Sequence, residues 1–216
     1  MALTPDQMLI LRYLESGLAT LALGIMIVLY IVRIIKAYKA TGQINWVRTF
    51  LLLTITVDFI FHGLFSFMGY FTSNAVIDFL YVGMAGGKSL SSWANGTIVM
   101  FGLMLAAYVN RKDSFLFFPV FMQVGAIAFY YLTGNFVIEE YFTQVFGVIA
   151  IIALYEAGIR VKDNFALGFA IMYTLQFVTV FEFDNSVIPS VISSVGYLFG
   201  VFLAAGVFHP FGKEET

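Results

Sequence analysis

From Gly17 to Phe208 the chain is interrupted only by short polar turns and one longer connection, and each apolar run between them approaches the thickness of a bilayer. Seven such runs can be drawn, at about 17–35, 48–71, 89–109, 115–132, 141–159, 165–183 and 187–208. A hydrocarbon core of ~30 Å calls for ~20 apolar residues in helical form. Lipid offers no hydrogen bonds, so each crossing segment must satisfy its own backbone, as a helix does. The sequence therefore predicts an all-α, polytopic membrane protein: a single seven-helix transmembrane domain over residues 1–216.

Composition agrees with that reading. The 216 residues are 61% hydrophobic and only 11% charged, with a mean hydropathy of +0.92. Soluble domains carry about 25% charged residues. A net charge of −2 without any basic block excludes a nucleic-acid partner, because nothing is present to neutralise phosphates. The absence of cysteine removes disulfides, thiolate metal sites and cysteine nucleophiles.

Charge alternates from turn to turn. Arg33, Lys36, Lys39, Arg48, Arg111, Lys112, Arg160, Lys162 and Lys213 fall on one side, and Asp6, Glu15, Asp78, Glu139, Glu140 and Asp184 on the other with only Arg12 and Lys88. The positive-inside rule then puts the N-terminus outside and the C-terminus in the cytoplasm of a multi-pass cell-membrane protein.

Within the second run, Asp58 and His62 stand one helical turn apart near mid-membrane depth. An ionisable residue there is costly unless it is paired or faces water, which makes it a functional candidate. The alternative is a polar patch that fixes helix packing. Trp93, Asn95 and Thr97 give the third run a polar face that could form a pocket wall. Gln123 and Gln176, near the middles of their runs, are expected as interhelical hydrogen-bonding groups. Glu156 precedes Arg160 by one turn and predicts a local ion pair. A haem between His62 and His209 is excluded by depth: His62 lies roughly 20 Å from the inner end of its helix, whereas His209 sits at that boundary. Lys112-Asp113-Ser114-Phe115 is echoed by Lys162-Asp163-Asn164-Phe165, read as one good turn used twice.

Some local matches carry a family likeness. Ser92-Trp93 with Thr97, Gly69-Tyr70, Tyr173 with Phe177, and Val195-Gly196-Tyr197, set on seven runs with one long outer connection, resemble the microbial rhodopsins. The resemblance implies their seven-helix fold. It does not imply their chromophore: the Schiff-base lysine position falls on Ser194, the acids on Ser190 and Ser92, and the arginine on Ser89. No covalent retinal, other cofactor or metal is therefore expected.

The functional expectation is a non-enzymatic bundle that binds or translocates a small ion or ligand. Its candidate site is Asp58, His62, Trp93, Asn95, Thr97, Tyr173, Gln176 and Ser194. The alternative is a structural or accessory subunit of a larger membrane complex. Expected partners are membrane lipids, with other membrane subunits or a second copy of the chain as further candidates.

Overall fold

A computed structural model describes residues 5–69, 90–178 and 187–212. The long connection Thr72–Gly87, the far ends of the second and sixth apolar runs, and Lys88, Ser89 and Glu182 lie outside them. Among the described residues there is no strand.

The first helix, α1, spans Pro5–Thr41. α2 (Trp46–Asp58) continues into a π-helical stretch, Phe59–Leu64, and then α3 (Phe65–Gly69). α4 is Leu90–Val109, and a 3-10 turn at Asp113–Phe115 precedes α5 (Phe118–Thr133). α6 (Val137–Tyr141) passes through a second π-helical stretch, Phe142–Phe146, into α7 (Gly147–Val161). α8 is Asn164–Val178 and α9 is Val187–Ala205.

Local chemistry sets the stops. Asn45 caps α2 by accepting the Arg48 N–H at 3.0 Å. Gly42 and Gly134, both at φ +68, end α1 and α5 in the left-handed conformation. α1 runs past Ile35, where its apolar run ends, because Lys36-Ala37-Tyr38-Lys39-Ala40 are acceptable helix formers; polarity ends the membrane match but not the helix. The echoed turns fold differently. Lys162 takes φ +57 and Asp163 caps α8 through the Ala166 N–H at 2.8 Å, whereas Asp113 opens the 3-10 turn and the left-handed residue before it is Arg111.

Both faces of the helices are apolar. In α1 the inward stripe is Ala19, Leu23, Met26 and Tyr30, and the outward one is Leu14, Leu21, Ile25, Val28 and Val32. In α9 Val191, Val195, Leu198 and Phe202 face out, while Ser190, Ser193, Tyr197, Gly200 and Ala204 face in. A helix in water would carry its polar residues outward; here the last helix is reversed. Five helices are long and apolar enough to cross a membrane: Tyr13–Thr41, Trp46–Leu64, Asp113–Thr133, Val137–Val161 and Val187–Ala205. Trp93–Val109 and Asn164–Val178 are shorter apolar helices.

Packing closes a ring. α1 contacts α2 and α9, α9 contacts α8, α8 contacts α7, α7 contacts α4, and α4 contacts α2. α5 rests against α4 and α6. Gly200 lets α9 approach closely, since a Cβ there would come within 2.6 Å of the Met26 sulfur and 2.7 Å of that of Met172. At the basic end, Arg33 donates to the Ala205 carbonyl at 2.5 Å, and Arg48 lies 4.9 Å from the centre of the Phe165 ring. Arg160 pairs with Glu156 at 2.7 Å and donates to Asn110 on α4's trailing turn. Buried Asn164 holds the segment after α9, donating to Gly212 O at 3.0 Å and accepting from Phe211 N at 3.1 Å.

Candidate functional site

Asp58 closes α2 and His62 lies in the π-helical stretch that follows. His62 Nδ1 is 2.8 Å from Asp58 Oδ1. A carboxylate only accepts, so with Asp58 ionised the bond is donated by the Nδ1–H of the imidazole. The side chains are 14% (Asp58) and 30% (His62) exposed, which makes the pair reachable rather than sealed. The π-helical stretch is confirmed by its hydrogen bond: the Phe65 N–H reaches back five residues to Ile60 O. Such widened turns are rare and occur often at functional sites.

Further polar groups link α1, α8 and α9 to one another. Ser190 on α9 donates to Glu15 Oε2 on α1 at 2.6 Å. Buried Tyr197, two turns further along α9, bonds with Ser193, and its hydroxyl is within electrostatic reach of both the Asp58 and Glu15 carboxylates. Ser193 Oγ donates to Gln176 Oε1 at 3.2 Å, and Gln176 Nε2 donates back to Ser193 O at 3.0 Å, joining α8 to α9. Asp58 with His62 forms one polar pair, and Glu15, Ser190, Ser193 and Gln176 form a chain of links between α1, α9 and α8. The oxygens suit a small hard cation or a proton. Among the described residues, no group of three or more His, Asp or Glu is arranged to hold a metal ion.

The remaining sequence candidates are placed elsewhere. Tyr173 is buried, stacked on Phe169 with ring centres 5.8 Å apart and packed against Gly102; its hydroxyl has no partner. Ser194 is half-buried beside the bonded Ser193. Trp93 packs edge-on against Phe136 at 4.8 Å and Tyr130 at 5.3 Å, within a group that draws α4, α5 and the residue before α6 together. Thr97 donates to Trp93 O at 3.0 Å, and Asn95 is half-buried on the same helix. Trp93 therefore belongs with a different region from Asp58 and His62.

That second region centres on Glu139 of α6, which is 1% exposed. Gln123 Nε2 on α5 donates to Glu139 Oε1 at 3.1 Å. Both groups press on the α4 backbone at Gly96, where a Cβ would overlap the carboxylate. Glu139 Oε2 and Gln123 Oε1 are buried without a hydrogen-bond partner among the described residues.

Turn-by-turn charge reading counts Glu15 and Glu139 among the outer flanking charges. A finer signal exists. Phe136, Glu139, Phe142, Thr143, Gly147, Ala150 and Leu154 follow helical spacing and are all buried, while Glu140 is exposed. Glu15 likewise precedes Ala19, Ala22, Met26 and Tyr30 on the inward stripe of α1. Comparison of this chain with protein-family models, curated proteins and solved structures finds no match in any of the three.

Proposed function

We propose that this chain is a seven-span membrane protein, N-terminus outside and C-terminus in the cytoplasm, that binds or translocates a small cation within its bundle. The observation that carries the reading is the Asp58–His62 pair at 2.8 Å within apolar helices, with a second acid, Glu15, bonded to Ser190 on the last helix. Two carboxylates in one partly desolvated region favour a bound positive charge, because both attraction and desolvation cost grow as water is excluded. His62 neighbours the site on its more exposed side and can accept or release a proton there.

Membrane residence is supported by the outward apolar stripes and the five helices of sufficient length. Beyond α8 the sequence continues with Val180, Phe181 and Phe183. Arg33, Arg48 and Arg160 gather at one end, which supports a cytoplasmic assignment for it. The reading involves no retinal: Ser194 stands where the rhodopsin likeness would require lysine.

Thermal melting of the purified protein in lipid across a series of alkali and alkaline-earth cations tests the proposal. Wild type is expected to be stabilised by one cation over the others, as any ligand that binds only the native state stabilises it. Asp58→Asn should lose that shift while remaining folded. Curves that superimpose across all cations for wild type would sink the idea.

A further inference from the structure

The Asp58 region leaves one buried acid unused. Glu139 is enclosed by α4, α5 and its own helix at 1% exposure, and Gln123 beside it is 4% exposed. They share one hydrogen bond, Gln123 Nε2 to Glu139 Oε1, and each retains one buried oxygen with no donor. A buried acceptor without a donor costs ~1–3 kcal/mol, and a buried charge costs more. Two such oxygens on adjoining groups are a large local debt for a well-packed spot.

Among the described residues the ionised form has the Gln123 amide as its donor and no cation beside it. The elements packed on α6 are α4, α5 and the π-helical stretch. Their titratable groups are Tyr130 and Tyr131 on α5 and Tyr108 at the far end of α4, with Glu140 and Tyr141 on α6 itself and none in Phe142–Phe146. Among the described residues only the Gln123 hydrogen bond and burial act on the Glu139 carboxyl. A metal ion is poorly served, since calcium takes six to eight oxygens and magnesium six (typical of roughly octahedral sites), and no third acid or histidine joins the pair among the described residues.

What is missing is one hydrogen. We infer that Glu139 is a proton-binding site, whose Oε2 takes a proton from water at neutral pH and donates it to Gln123 Oε1. The acid and amide then bond reciprocally, Nε2–H to Oε1 and O–H to the amide oxygen, and both lone oxygens are satisfied by a single atom. The bound proton holds α6 against α4 and α5, beneath the Trp93–Tyr130–Phe136 aromatic group. Release of the proton leaves a bare carboxylate against the Gly96 backbone and loosens that contact. This inference is independent of the cation reading at Asp58.

Infrared difference spectra of the full chain in lipid vesicles decide it. Wild type at neutral pH should show the carbonyl stretch of a protonated carboxylic acid that is lost in Glu139→Gln. In Gln123→Leu the same band should move to higher wavenumber, because its hydrogen bond is gone. Absence of a Glu139-dependent band overturns the proposal, and a band unmoved by Gln123→Leu overturns the reciprocal pair. Should Glu139→Gln fail to fold, the Gln123→Leu shift together with wild-type melting decides. The melting temperature should fall from mildly acidic to alkaline buffer, and its rescue at alkaline pH by added sodium would identify a metal cation instead.

Discussion

The two polar regions of this bundle meet the same difficulty, an acid among apolar helices, in opposite ways. Around Asp58 and Glu15 every carboxylate has a donor within 2.8 Å, from His62 and Ser190 respectively, and the Asp58–His62 pair keeps some exposure. Around Glu139 the site is dry, and the donors run out before the acceptors do. Partial exposure leaves the first region room to exchange partners. The second has no such reserve, so it should respond sharply to small changes in shape or protonation.

The contrast can be broken most forcefully at Gly96. Gly96→Ala places a methyl group where the Glu139 carboxylate and the Gln123 amide oxygen now sit, the latter 2.7 Å away. Overpacking of this kind costs ~1–3 kcal/mol. A clear drop in melting temperature, with loss of the Trp93 fluorescence environment, is the expected outcome; an unchanged melt would mean that the dry region yields as easily as the wet one.

A smaller effect is expected at Ser190→Ala. It removes one hydrogen bond to Glu15 in a partly hydrated setting, at a cost of about 1 kcal/mol. Combined with Gln123→Leu, its effect should add to within ~0.5 kcal/mol, because the two regions share no partner. Strong coupling in that double-mutant cycle would show that they form one unit. The smallest effect belongs to the basic end: Arg160→Ala breaks an ion pair more than half exposed on both sides and should shift stability by no more than ~0.5 kcal/mol.

Much of the architecture was legible in the residues, for a physical reason. Apolar run length reports helix length directly when lipid is the solvent, and Gly42, Asn45 and Gly134 mark their own turns. The Asp58–His62 contact was legible because both residues lie on one helix. Glu15 and Glu139 were not, since counting charge between apolar runs treats every flanking acid as solvated. Their helices begin before the apolar runs do, at Pro5 and Val137, so both acids are already in helical register and turned inward. The division of Trp93 from Asp58 was also invisible: it depends on α5 and α6 meeting α4 on one side while α1 and α8 pack on α2. Pairing between helices is written in no single segment.

The π-helical stretches at Phe59–Leu64 and Phe142–Phe146 adjoin both acids, and they carry a consequence for how this chain can change. Each holds about one residue more than an α-helix of the same rise would need, so it works as a frameshift within a helix. Deleting a single residue there would mend the α-helical pattern and at the same time turn everything beyond it by about 100°. Asp58 or Glu139 would then keep its sequence neighbours and lose its spatial ones. In these two places chain length, more than residue identity, sets which acid faces which helix.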